Sequence, residues 1–114
     1  MRASEVTNKP WGNFRQFTLN ESSTVKILSI NAGEELSLQT HKTREEYWFV
    51  IEGHPTITRG EHVFTAHPND EILIEQGQQH RIAALDNDVL ILEIAYGHFD
   101  EDDIVRLEDR YDRS

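Results

Sequence analysis

Between Phe14 and Tyr96 the chain is a succession of short runs with strand character, each closed by turn residues, and no stretch among them keeps a helical period. Val25-Lys26-Ile27-Leu28-Ser29-Ile30 stops at Asn31-Ala32-Gly33. Thr56-Ile57-Thr58-Arg59 reverses at Gly60-Glu61 into His62-Val63-Phe64-Thr65-Ala66, which reads as a hairpin. Pro68-Asn69-Asp70 turns into Glu71-Ile72-Leu73-Ile74-Glu75, and Asp86-Asn87-Asp88 into Val89-Leu90-Ile91-Leu92-Glu93-Ile94. Many short strands at this spacing predict an all-β sandwich or barrel of jelly-roll type. The ends read differently. Residues 1–10 are polar and extended, while residues 100–114 hold 7 acidic and 3 basic side chains around Ile104, Val105 and Leu107. The expectation is a short helical or irregular C-terminal tail that docks those three apolar side chains, with Asp100 or Asp102 as its cap.

At 114 residues the chain is large enough for one core, so 1–114 reads as a single domain. No apolar stretch approaches the ~18 residues of a membrane helix, and Met1-Arg2-Ala3-Ser4-Glu5-Val6 lacks a signal-peptide core, so a cytoplasmic location is expected. A formal charge of −10 argues against nucleic acid or an anionic membrane as partner, because phosphate backbones reward clustered Lys and Arg. A phosphate ester would need a local basic cluster that opposes this global field.

Within the strand-like region, two short segments are rich in metal-ligand types. Gln39 and His41 alternate in Leu36-Ser37-Leu38-Gln39-Thr40-His41, so in a strand they share a face. Glu46 opens the run Glu46-Tyr47-Trp48-Phe49-Val50-Ile51, and His80 follows the turn Gly77-Gln78-Gln79. The chain has no cysteine, which leaves His, carboxylate or amide as metal donors. One amide oxygen, two imidazoles and one carboxylate suit Zn, Mn, Fe or Co, and leave one or two positions open for water or a substrate oxygen. His54, His62, His67 and His98 read as packed or surface histidines. Arg81 follows His80 directly and Tyr47 follows Glu46, so strand alternation turns both away from the site; a structural salt bridge is the role expected of Arg81.

These residues carry a family resemblance. Gly33-x5-Gln39-x-His41-x4-Glu46-x6-Gly53 resembles the first cupin motif, with Gln39 where the usual form has His, and Glu75-x-Gly77-x2-His80 resembles the second. Within the cupins the chain is most similar to the C-terminal domain of type II phosphomannose isomerases. The matching segments are Lys9-Pro10-Trp11-Gly12-x-Phe14, Leu36-Ser37-Leu38-Gln39-x-His41, Arg44-x-Glu46-x-Trp48, Gly77-x2-His80-Arg81 and Glu101-Asp102-Asp103-Ile104-Val105-Arg106-x-Glu108-Asp109-x-Tyr111, in the family's order. Gln39 is itself usual in that subfamily. The departures are Lys42-Thr43 in place of a His-rich stretch, Tyr47 in place of a His, Glu75 in place of a turn proline, Asp112 in place of a terminal glycine, and a segment before Glu101 that is one residue short.

The resemblance implies a cupin jelly-roll barrel, a divalent ion (Zn, Mn, Co or Mg) on Gln39, His41, Glu46 and His80, and interconversion of mannose 6-phosphate with fructose 6-phosphate. That reaction moves a proton between adjacent carbons through an enediol, so it needs a base; Lys42, Glu45 or a metal-bound hydroxide are the candidates. It also needs cations for the phosphate, and among Lys9, Arg15, Arg44, Arg81 and Arg106 the matched motifs rank Lys9, Arg44 and Arg106 first. The altered 42–47 loop favours an alternative, a non-catalytic cupin that binds a sugar phosphate or sugar nucleotide. A third reading is another small metal-dependent cupin enzyme such as an oxygenase, against which Gln39 speaks. A homodimer is expected, since exposed sheet edges need cover.

Overall fold

The structure, a computed structural model, describes residues 4–111. Residues 1–3 of the extended N-terminal segment and residues 112–114 of the tail, Asp112 among them, lie outside the described residues. All regular structure among the described residues is strand, so none of it is a helix long and apolar enough to cross a membrane. Two sheets face each other. One has the order β3 (Ser23–Ile30), β11 (Val89–Gly97), β6 (Arg44–Glu52), β9 (Glu71–Ile74). The other runs β12 (Val105–Glu108), β5 (Leu38–Thr40), β10 (His80–Ala84), β7 (Thr56–Arg59), β8 (His62–Thr65), with the short β4 (Glu34–Glu35) also on β10. β1 (Glu5–Lys9) and β2 (Gly12–Gln16) form a separate hairpin.

Strand parity decides what goes inside. Along β6, Trp48 and Val50 point inward, and their neighbours across the ladder, Ile72 on β9 and Ile91 on β11, do the same. Ile57 and Ile82 answer from the opposite sheet, where they are register partners. The intervening residues of the first sheet make a second apolar layer on its outer face, where Tyr47, Ile94 and Tyr96 pack with Phe17, Phe49 and Leu92. Tyr47 thus turns away from Glu46 as alternation requires, and its hydroxyl donates to Glu71. The hairpin read at Thr56–Ala66 closes as expected, with Arg59 opposite His62.

The tail departs from its helical or irregular expectation. Asp100 to Asp103 form a turn in which the Asp103 N–H donates to the Asp100 carbonyl at 3.0 Å, and the chain then enters β12 antiparallel to β5. Asp100 Oδ1 accepts from the Asp102 N–H at 2.9 Å and so caps a turn, not a helix. Val105-Arg106-Leu107-Glu108 alternates apolar with charged, and the three-residue β5 offers it an open edge. Val105 and Leu107 stay 46% and 47% exposed, so of the three apolar side chains only Ile104 is partly covered. Arg81 fastens this strand, donating to Leu36 O at 3.0 Å and pairing with Glu108 at 3.3 Å, the structural role its parity implied.

Candidate metal centre

Register sets two rows of polar side chains facing one cavity. In one sheet Arg106 lies opposite Gln39, and Gln39 opposite His80. In the other, Lys26 lies opposite Glu93 and Glu93 opposite Trp48, with Glu46 and Arg44 following at alternate positions of β6. Directly paired residues present their side chains to the same face. The rows bound a cavity of about 190 Å³.

His41, Glu46 and His80 are buried there, and each brings one ligand atom within 4.8 Å of the others. His41 Nε2 is 3.4 Å from Glu46 Oε2, and His80 Nε2 is 3.7 Å from Oε1. The other ring nitrogens are engaged: His41 Nδ1 is 2.7 Å from the Asp103 carbonyl and His80 Nδ1 is 2.9 Å from the Gln78 carbonyl. A carbonyl only accepts, so both Nδ1 atoms carry the hydrogen and both Nε2 atoms are acceptors, that of His41 engaged by the Arg44 guanidinium. Backbone carbonyls orient metal-ligating imidazoles in the same way. His80 Nε2 is buried with no hydrogen-bond partner among the described residues, an orphaned acceptor of the kind a metal ion satisfies. Burial, opposed by the charge of Glu46, holds His80 below the ordinary histidine range and therefore neutral, as ligation requires. These donors fit a divalent ion. Gln39 lines the cavity across the ladder from His80, and its amide nitrogen donates to Ser37 Oγ at 3.0 Å.

Glu46 is held from two sides. Arg44 Nε donates to Oε2 at 3.0 Å, and Trp48 Nε1 donates to Oε1 at 3.2 Å. The Arg44 guanidinium also donates to His41 Nε2 at 3.1 Å and lies over the Phe99 ring at 4.4 Å. Asp103 sets the loop beneath: its carboxylate accepts from the Lys42 and Thr43 N–H groups and from Thr43 Oγ1, and these bonds hold its pKa well below the usual carboxylate range.

Of the substrate candidates, Arg44 and Arg106 line the cavity, whereas Lys9 sits exposed at the end of β1 in the separate hairpin. The two base candidates do not line it. Lys42 is exposed, and Glu45 alternates with Glu46 and so faces the opposite side of β6. Lys26, Glu93 and Glu101 were not singled out from the sequence, yet all three border the cavity. Glu93 carried a legible signal, an acid at an inward position of an otherwise apolar strand, in step with Val89 and Ile91.

Burial, with the charge of Glu46 adding to it, pushes the Glu93 carboxyl up from 4.5 to about 7, against Lys26 and Arg44. Between those values the folded chain keeps a proton that the unfolded chain has released. Stability of the metal-free protein therefore falls as pH rises through this window and stays lowered above it. Glu93→Gln removes the ionisation, so it is expected to raise the stability of metal-free protein by up to about 3 kcal/mol at pH 8, a gain that disappears by about pH 4.5. Melting temperatures of both proteins across that range measure it, and a difference independent of pH would refute it.

Residues 2–109 match the family described as mannose-6-phosphate isomerase C-terminal. The xanthan biosynthesis protein XanB of Xanthomonas campestris pv. campestris is 36% identical over 108 residues, covering 93% of this chain and 23% of that protein. The mannose-1-phosphate guanylyltransferase ManC of Salmonella typhimurium is 36% identical over 110 residues, covering 92% of this chain and 22% of that protein. The chain thus spans less than a quarter of the length of these curated relatives. Among solved structures, a cupin protein from Bacteroides fragilis superposes with a TM-score of 0.61 at 25% identity, covering 66% of this chain and 65% of that one. Matched along nearly all of its length, the chain belongs to the mannose-6-phosphate isomerase C-terminal family and has the cupin fold.

Proposed function

We propose that this domain binds a hexose phosphate, free or as the sugar-phosphate end of a sugar nucleotide, beside a divalent ion held by His41, Glu46, His80 and Gln39. The observation that carries the reading is the composition of one cavity wall set: a buried His-Glu-His group beside Lys26, Arg44 and Arg106 in a chain whose overall charge is −10. Lys26 and Arg44 are paired with Glu101 at 3.1 Å and Glu46 at 3.0 Å, so a phosphate would compete with these carboxylates for the cavity's cations. The volume supports the same ligand size. About 190 Å³ falls below the ~300 Å³ at which pockets for drug-sized ligands begin, so a nucleotide moiety would extend outside. Relatives named for xanthan biosynthesis and for mannose-1-phosphate guanylyl transfer are consistent with a mannose-type sugar.

The ion would supply positive charge to sugar oxygens. Arg44 and Trp48 orient the Glu46 carboxylate, and the Asp103 and Gln78 carbonyls fix both imidazoles. A second reading, turnover of mannose 6-phosphate to fructose 6-phosphate, draws on the family description and on Glu93. That carboxyl borders the cavity with a pKa near 7, suited to accept a proton from one sugar carbon and return it to the next.

Calorimetric titration of chelator-treated and metal-reloaded protein with mannose 6-phosphate, mannose 1-phosphate and a guanosine diphosphate sugar tests the first reading, with coupled turnover of mannose 6-phosphate measured in parallel. Saturable binding that Arg106→Met weakens at least tenfold is expected. Absence of binding by all three ligands to metal-loaded protein would overturn it. Turnover that Glu93→Gln abolishes while binding persists would favour the isomerase.

A further inference from the structure

A second pair of imidazoles converges far from the cavity. His54 lies in the turn between β6 and β7, and His67 in the turn between β8 and β9; both are exposed. Their Nδ1 atoms are 3.0 Å apart, with ring centroids 5.1 Å apart and planes at 68°. His54 stands at the opposite end of β6 from Glu46.

We propose that His54 and His67 form a second divalent-metal site, selective for the imidazole-seeking ions Cu, Ni and Zn. The spacing carries the argument. Imidazole nitrogens bind such ions at ~2.0–2.1 Å, so two of them span ~2.9 Å at a right angle and ~3.3 Å at the tetrahedral angle. The observed 3.0 Å lies between these values. Without an ion the same contact requires unlike tautomers, one Nδ1 protonated and the other bare, whereas an ion satisfies two bare nitrogens at once.

The backbones beneath are already fixed, so binding orders little that is not ordered. The His54 N–H donates to Asn87 Oδ1 at 2.7 Å, and Asn87 Nδ2 returns a bond to His54 O at 3.3 Å. The preceding Gly53 has φ +87°, and a Cβ there would lie 2.3 Å from Asp88 O, so the turn sits against the 86–88 segment as only glycine permits. The His67 N–H donates to Asp70 Oδ2 at 2.8 Å, and Ala66 N–H to Pro55 O at 2.9 Å ties the two turns together. Asp86 and Asn87 border the open pocket beside His54, and the net charge of −10 draws cations to the surface. Imidazole donors with no thiolate favour Cu, Ni and Zn over Mg or Ca.

Tag-free protein is titrated with Ni(II) by calorimetry, and with Cu(II) by electron paramagnetic resonance to count coordinated nitrogens. His54→Ala and His67→Ala should each lower the number of bound ions by one, or weaken that site at least tenfold, and should remove a two-nitrogen Cu(II) signal. His62→Ala, another exposed histidine, should change neither. The subtraction holds whether or not His41, Glu46 and His80 take an ion, so it is independent of the proposed function. Unchanged stoichiometry and affinity in both His54→Ala and His67→Ala would overturn the site, as would an equal loss in His62→Ala.

Discussion

His80→Ala is expected to abolish metal retention in the cavity while the barrel remains folded. His80 supplies the one imidazole nitrogen of the cluster that is buried without any hydrogen-bond partner among the described residues, so the variant deletes that atom and, although it takes the Nδ1–H donor from the Gln78 carbonyl, strands no charge. Losing an outer partner of a ligand typically costs 10–100-fold in affinity, and losing the ligand itself should cost about a hundredfold or more. The stability cost is smaller in consequence. Ring contacts with Trp48 and His41 disappear and a void remains, worth about 2–3 kcal/mol. Metal per chain after dialysis, measured beside circular dichroism, separates the effects. Equal metal content in wild type, His80→Ala and His41→Ala would remove the basis for the metal centre.

Glu46→Ala should behave in the opposite way and damage the fold most. Arg44 is only 8% exposed and gives its Nε hydrogen to Glu46, while Trp48 gives its indole hydrogen to the other carboxylate oxygen. Removing Glu46 strands a buried cation, and breaking such pairs from one side costs about 3–5 kcal/mol. The diagnostic is the double variant Glu46→Leu with Arg44→Met. Replacing both charges by apolar groups of similar size is commonly neutral or stabilising, so the double variant should recover most of the loss although it holds no metal at this site. Denaturant midpoints decide; a double variant as unstable as Glu46→Ala would show that the ion pair is not the cause.

The contrast between these variants follows from how much of the site local sequence could express. Alternation correctly separated Glu46 from Tyr47 and His80 from Arg81, because a period of two is a local property of a strand. By the same alternation Glu45 takes the face of β6 opposite Glu46 and does not line the cavity. Lys42 does not line the cavity, and its loop is held by a non-local contact, since the Asp103 carboxylate accepts from the Lys42 and Thr43 N–H groups. Glu93 and Lys26 were legible by parity but masked by apolar neighbours. On β3 the apolar residues Val25 and Ile27 are the ones that face out, at 56% and 60% exposure, while Lys26 turns toward the cavity. The tail's pairing with β5 could not be read at all, because an alternating, charge-rich segment shows its strand character only when a distant open edge accepts it.

That late-arriving strand bears on how the protein acquires its binding chemistry. The carbonyl that orients His41 lies 62 residues further along the chain, and Gln39 meets Arg106 across the same closure. Contacts that close long loops tend to form after local ones. A refolding chain can therefore bury Trp48 and pair the Thr56–Thr65 hairpin while His41 still lacks its anchor. Under the proposed function, the site is complete only once residues 103–108 have closed onto β5.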